Sequence, residues 1–352
     1  MQFDLFYEVA LPAQLNHSEA QAYADVLDQV ELADRLGFGC AWFVEHHTMP
    51  AYSHCSKPEL VLAALSQRTR AIRLGLAVIP LPYHHPVHVA ERIATLDILT
   101  RGRLEIGIGR GFAPAEYALF AREMRDSREL VEESLAILRA SFAAEPISFH
   151  GRHYQIESLR TLPHVIQRPH PPLWSAAVSP ASFVRSAEQG MGVLAGPFKP
   201  WFMLESDIRS YRSHWCGDGA PRIGMTIAML CLPDGKRARA LAKDAFTWFY
   251  RELYKTTLPV LEKLYPSYEH FASLGRYREL MKLGINLKFL ETFGMAVAGT
   301  PQQCIDGLER FRAAGVTHLL CGIGAGAVAA DIARESMHCI AAEVMPHFAQ
   351  SA

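Results

Sequence analysis

The chain has 352 residues, half of them hydrophobic and a fifth charged, which is ample apolar material for a large buried core. A formal net charge of -1, with no basic or acidic run, argues against nucleic acid and anionic membrane surfaces as main partners. Seven scattered cysteines, an odd number with no CxxC pair, argue against a disulfide framework or zinc site and for reduced thiols.

The N-terminus, Met1-Gln2-Phe3-Asp4, lacks the charged and apolar regions of a secretory leader. No apolar run reaches the roughly 18 residues needed to span a bilayer, so a cytoplasmic location is expected. Phe3 to Val9 reads as a buried strand. Ser18 is placed to cap a helix with Val26, Val30, Ala33 and Leu36 at helical spacing, and Gly37 to stop it. Cys40 to Val44 is a second strand, ending in Glu45-His46-His47. Pro58 opens a helix to Arg70, Ile72 to Ile79 is a third strand, and Pro86 opens a helix to Thr100. In Leu104-Glu105-Ile106-Gly107-Ile108-Gly109, apolar residues alternate along a fourth strand that breaks at Gly109-Arg110-Gly111. A helix from about Asp126 to Ala143 follows.

Residues 146–172, rich in Pro and His, interrupt the repeat with an expected hairpin around His150-Gly151-Arg152. Leu173 to Val178 resumes it, followed by a helix from Ser179 or Pro180 to Gln189, the short strand Gly192 to Leu194, a helix near 203–214 and the strand Ile223 to Leu232. Lys236 to about Lys288 reads as a helical insertion with an aromatic bias, a candidate lid somewhere within 236–290. Thr300-Pro301 starts a helix, Val316 to Ile323 is the last strand, and Ile332 to Phe348 the last helix. Strands alternating with helices, with no break in composition, predict a (β/α)8 TIM barrel as one domain over 1–352, with insertions at about 146–172 and within 236–290.

Active sites of such barrels gather at the C-terminal ends of the strands. That rule selects Glu45, His46 and His47 after the second strand, Ala77 and Val78 at the end of the third, and Gly109 and Arg110 at the end of the fourth. Val178, Ser179 and Ser182 follow the fifth. Histidine moves protons near neutral pH, and adjacent histidines point in different directions. A helix N-terminus, serine hydroxyls and an arginine fork are donors suited to a phosphate. The same serines also read as a plain helix cap and Arg110 as a solvated turn residue. His84, His85 and His88 admit a metal reading, but the His-x-His strand motif of barrel metal sites is missing, so no metal is expected.

Glu45-His46-His47, Leu76-Ala77-Val78, Gly107-Ile108-Gly109-Arg110-Gly111 after Arg101-Gly102-Arg103, and Ala298-Gly299-Thr300-Pro301-Gln302-Gln303-Cys304 together resemble the bacterial luciferase-like flavin monooxygenases. The resemblance implies a barrel that binds reduced FMN (FMNH2) at its mouth, a separate flavin reductase that supplies it, and oxygenation of a small organic substrate through a C4a-(hydro)peroxyflavin. By position it implies Arg110, Ser179 and Ser182 on the flavin phosphate with backbone near Val178 assisting, a non-prolyl cis peptide at Ala77-Val78 beneath the flavin ring, and His46 as the catalytic residue that handles protons. A homodimer is the expected assembly.

The sequence departs from luciferases in having Gly109 where they carry a reactive cysteine, and Val178 where their α subunit carries a glutamate. Both departures put light emission and a long-chain aldehyde preference in doubt. An F420-dependent oxidoreductase, a non-catalytic flavin-binding protein and a metal-dependent hydrolase are the competing readings. Residues near Phe6, Tyr7, Trp42, His84, Phe112 and the 236–290 insertion are expected to line a pocket for an apolar substrate.

Overall fold

Helices begin where side chains can satisfy the free N–H groups of a first turn. Ser18 accepts from Gln21 N at the start of Glu19–Leu36, and Gly37, at φ 84°, closes that helix in the left-handed region. Ser179 and Thr300 each build a reciprocal capping box, with Ser182 and Gln303 as the partners three residues on. The computed structural model describes residues 1–143, 145–196, 200–264 and 285–349, with the side chains of 256–264 left aside.

The strands in chain order are β1 (Gln2–Tyr7), β2 (Cys40–Phe43), β3 (Arg73–Pro80), β4 (Leu104–Gly109), β5 (Ile147–His150), β6 (Gln155–Leu159), β7 (Leu173–Ala177), β8 (Gly192–Ala195), β9 (Ile223–Cys231), β10 (Ala296–Gly299) and β11 (His318–Ile323). Eight of them form a closed parallel barrel, running β1-β2-β3-β4-β7-β8-β9-β11 and back to β1. These are the eight strands expected from sequence. β5 and β6 pair antiparallel as the expected hairpin outside the barrel. A ninth parallel strand, β10, was not foreseen. It pairs with Ala228 to Cys231 of β9, beyond the reach of β8, which pairs with Ile223 to Met225. Every residue of β9 is buried as a result.

Side chains at alternate positions fill the barrel in layers. In the middle layer Trp42 meets Trp174 edge to face, with ring centroids 5.4 Å apart, among Phe6, Leu194 and Leu320. A Cβ at Gly75 would overlap the Trp42 ring, so the glycine on the neighbouring strand is what makes room for the indole. Trp42 is fully buried, which corrects its expected place in the substrate pocket.

The indoles reach down to a charged floor. Trp42 Nε1 donates to Asp4 at 2.9 Å and Trp174 Nε1 donates to Glu105 at 2.6 Å, while Arg73 pairs with Glu105. Burial, helped by Glu105, pushes the Asp4 carboxyl up to about 7. Burial and then Arg222 bring the His318 imidazole down to about 4.

The helix Gly235–Leu264 packs Phe246, Phe249, Tyr250 and Leu253 onto Ala228, Leu230, Ala296 and Ala298. Tyr250 O–H also donates to the Met295 carbonyl at 2.6 Å. That part of the insertion is therefore fixed to the barrel wall. Tyr265, Tyr268 and Tyr277 lie outside the described residues.

Candidate active site at the barrel mouth

The loop after β2 divides Glu45-His46-His47 between two networks. Glu45 Oε1 takes hydrogen bonds from His47 Nε2 at 3.1 Å and His84 Nε2 at 2.7 Å. Burial disfavours its charge, but the two histidines outweigh burial and hold Glu45 down at about 2. Glu45 thus orients His47 and His84, whereas His46 turns the other way.

His46 lies between two further glutamates. Its Nδ1 is 3.4 Å from Glu116 Oε1 and its Nε2 is 3.8 Å from Glu8 Oε2. Glu116 is itself fixed, accepting from His47 N at 2.8 Å and from Tyr83 O–H at 3.0 Å. Burial works against a charge on His46, yet the hydrogen bond to Glu116 and the charges of Glu8, Glu116 and Glu45 prevail, so its pKa is raised. Phe112 meets the His46 ring edge to face at 5.4 Å, and Tyr52 lies tilted at 5.8 Å.

Glu8 and Glu116 were missed from sequence. Glu8 follows the apolar run of β1 at a strand's C-terminal end, the same signal that selected Glu45. Glu116 sits in a short helix, Pro114–Leu119, that was not foreseen, although Pro114 marks its start.

At the end of the neighbouring strand, β3, the peptide between Ala77 and Val78 is cis. The β3–β4 register shifts there, between Leu76 and Ile79. Val78 leans over β4, and a Cβ at Gly109 would lie 2.5 Å from Val78 Cγ2. The glycine is thus required by its neighbour, which is the physical reason no cysteine fits at that position. Arg110 follows, half-buried, with its backbone carbonyl held by Tyr117 O–H.

On the adjacent strand end, Val178 is exposed and Ser179 caps the helix Pro180–Glu188. Ser182 Oγ accepts from Val178 N at 3.1 Å and Ser179 N at 3.0 Å, and donates to the Ser179 carbonyl at 2.6 Å. Both serines therefore act as caps in this state.

A cavity of about 80 Å³ opens beside this site, with Phe6, Glu8, Thr226, Ala228, Phe249 and Tyr250 in its wall. Phe6 and Tyr7 line it as expected, while His84 and Phe112 belong to the histidine side of the mouth. Among the described residues no group of three or more His, Cys, Asp or Glu is arranged to hold a metal ion.

The family described as luciferase-like monooxygenase matches residues 1–318. Limonene 1,2-monooxygenase of Rhodococcus erythropolis is 29% identical over 339 residues, covering 92% of this chain and 80% of that one. The oxygenase component of the flavin-dependent trigonelline monooxygenase of Acinetobacter baylyi is 29% identical over 199 residues, covering 56% of this chain and 54% of that one. Two solved structures share the fold. The oxygenating constituent of 3,6-diketocamphane monooxygenase of Pseudomonas putida, in complex with FMN, matches at TM-score 0.78 and 18% identity over 98% of both chains. The coenzyme F420-dependent tetrahydromethanopterin reductase of Methanopyrus kandleri matches at TM-score 0.72 and 18% identity over 99% of both.

Proposed function

The chain belongs to the luciferase-like monooxygenase family, and from that premise we propose that it is the oxygenase of a two-component system. In this reading it receives FMNH2 from a separate flavin reductase and places one oxygen atom of O2 into a small, largely apolar organic molecule. When bound, reduced FMN supplies the electrons that activate O2.

The residues present fit such a group. Gly109 and Ala176 bring little bulk to the wall beside Val78, and Arg110 follows Gly109 at the strand end next to the start of Pro180–Glu188. A phosphate oxygen at this helix start would replace Ser182 Oγ as acceptor of the Val178 and Ser179 N–H groups, while Arg110 supplies the matching positive charge. The apolar wall of Phe6, Phe112 and Phe249 keeps water away from the reacting atoms.

The observation that carries the reading is His46, a proton carrier gripped at Nδ1 by Glu116 with Nε2 turned from it. It holds a proton at Nε2 for transfer to a developing oxyanion, and Glu116 stabilises the imidazolium. The test is anaerobic loading with FMNH2 followed by rapid mixing with oxygenated buffer. A transient absorbance band unlike that of reduced or oxidised FMN is expected, followed by oxygenated product. Tight binding without any transient would leave a flavin-binding protein instead.

The shared fold with an F420-dependent reductase favours a second reading, hydride transfer with F420. Ligand linkage separates the two, because a ligand at a hundredfold over its Kd adds about 2.7 kcal/mol to stability. FMNH2 is expected to raise Tm and reduced F420 to leave it unchanged.

A further inference from the structure

Glu8 is a buried carboxyl group with one oxygen left over. Tyr52 O–H donates to its Oε1 at 2.7 Å, and Ser53 Oγ donates to its backbone carbonyl at 2.7 Å, so its position is fixed. The residue is 8% exposed, and its Oε2 has no hydrogen-bond partner among the described residues. Buried polar atoms are seldom left so, and each exception asks for an explanation.

His46 does not supply the missing partner. Its Nε2 stands 3.8 Å from Glu8 Oε2, beyond hydrogen-bond distance, while its Nδ1 turns to Glu116 at 3.4 Å. One imidazole thus faces two glutamates, and Glu116 is the better served, accepting also from His47 N and Tyr83 O–H. Glu8 is the one in excess.

The cavity in whose wall Glu8 stands has a matching character. Phe6, Tyr7, Phe249 and Tyr250 give it aromatic surface. Tyr52, the residue that holds Glu8, packs on Phe249 with ring centroids 5.6 Å apart. The other acid of the wall is Asp25, with His17 3.7 Å away, and among the described residues the wall contains neither lysine nor arginine. An anionic ligand would meet acids without a fixed cation. A positive group would find both a carboxylate and ring faces, whose quadrupoles attract cations.

We propose that Glu8 Oε2 anchors an ammonium group of the substrate, which makes the substrate an apolar amine, bound as its cation with the hydrocarbon part among Phe6, Phe249 and Tyr250. An ammonium N–H supplies the donor that Oε2 lacks, and its charge offsets the carboxylate. A neutral hydroxyl or amide supplies the donor without the charge. In the empty site burial works against the ionised form of Glu8 more strongly than His46 favours it. A docked cation makes that ionised form the stable one.

This assignment rests on the oxygenase reading, and the experiment separates the two. Cyclohexylamine, a cation at neutral pH, and cyclohexanol, its uncharged analogue of similar shape, are the two ligands. Each is titrated calorimetrically under nitrogen into the protein with FMNH2 bound and into the flavin-free protein. Wild type is expected to prefer the amine by about tenfold or more, the effect of a charge-assisted hydrogen bond. Glu8→Gln keeps the shape, removes the charge and abolishes the preference. Glu8→Asp keeps the charge and retains part of it. Phe249→Ala removes a wall and weakens both ligands.

No preference in wild type, a Glu8→Gln that keeps it, a Glu8→Asp no better than Glu8→Gln, or an unchanged Phe249→Ala would each overturn the assignment. A protein that binds the amine through Glu8 but shows no transient with O2 loses the oxygenase reading alone. One that shows the transient while ignoring Glu8 loses this assignment alone.

Discussion

Neighbouring residues of one tripeptide serve different purposes at the mouth, and their substitutions separate accordingly. His46→Ala is expected to lower coupled product formation by roughly a hundredfold or more, the usual worth of a placed proton carrier, while anaerobic titration finds FMNH2 still bound. Because Glu116 and Glu8 raise the His46 pKa, its proton is lost only above the ordinary histidine range, and product formation should fall along an alkaline limb there. Glu116→Gln removes one of the charges that raise it, so that limb moves to lower pH. Arg110→Ala is expected to weaken FMNH2 binding by about tenfold or more, the loss of a charge-assisted hydrogen bond, with an unchanged Tm in the absence of flavin. Equal affinity would remove Arg110 from the phosphate position. The strand-end rule made Glu45, His46 and His47 legible in the sequence. What it could not supply was partnership: that Glu45 serves His47 and His84, and that His46 looks to Glu8 and Glu116, depends on contacts between loops of different strands.

Among the elements, the barrel strands were legible because each is a short apolar run between glycines and prolines, and helix starts because Ser18, Pro58, Pro86 and Thr300 carry local chemistry. Boundaries shifted by a residue or two, as at Arg73–Pro80 against the expected Ile72 to Ile79. β10 escaped because four small residues become a strand only when the far end of β9 is there to pair with them. Gly75 shows how strands constrain one another. Gly75→Ala drives a methyl group into the Trp42 ring, and denaturant unfolding should show a loss of about 1–3 kcal/mol, the usual cost of overpacking.

For the molecule as a whole, Asp4, Arg73, Glu105 and His318 read as scattered polar positions on β1, β3, β4 and β11, and only closure of the sheet turns them inward as a floor. The unfolded chain releases the Asp4 proton near the ordinary value of 3.8 and the folded chain near 7. The folded state therefore holds an extra proton in that window, and stability falls as pH rises through it. His318, brought down from 6.5 to about 4, acts in the opposite sense between those values. The difference between wild type and Asp4→Asn isolates the Asp4 share. Wild type is expected to lose stability relative to the variant as urea midpoints are followed from pH 5 to 7.5, and a constant difference would place the Asp4 pKa in its ordinary range.

Trp42 and Trp174, edge to face across the barrel, also act as an insulator. Above them His46 and Glu116 act on Glu8, and below them Glu105 acts on Asp4. The indole N–H groups both point down, to Asp4 and Glu105, so the layer offers no relay by which a proton held at His46 could drain into the floor. The acidity that governs whether the barrel stays folded and the acidity that governs chemistry at its mouth are thus set by separate groups, and either can change without retuning the other.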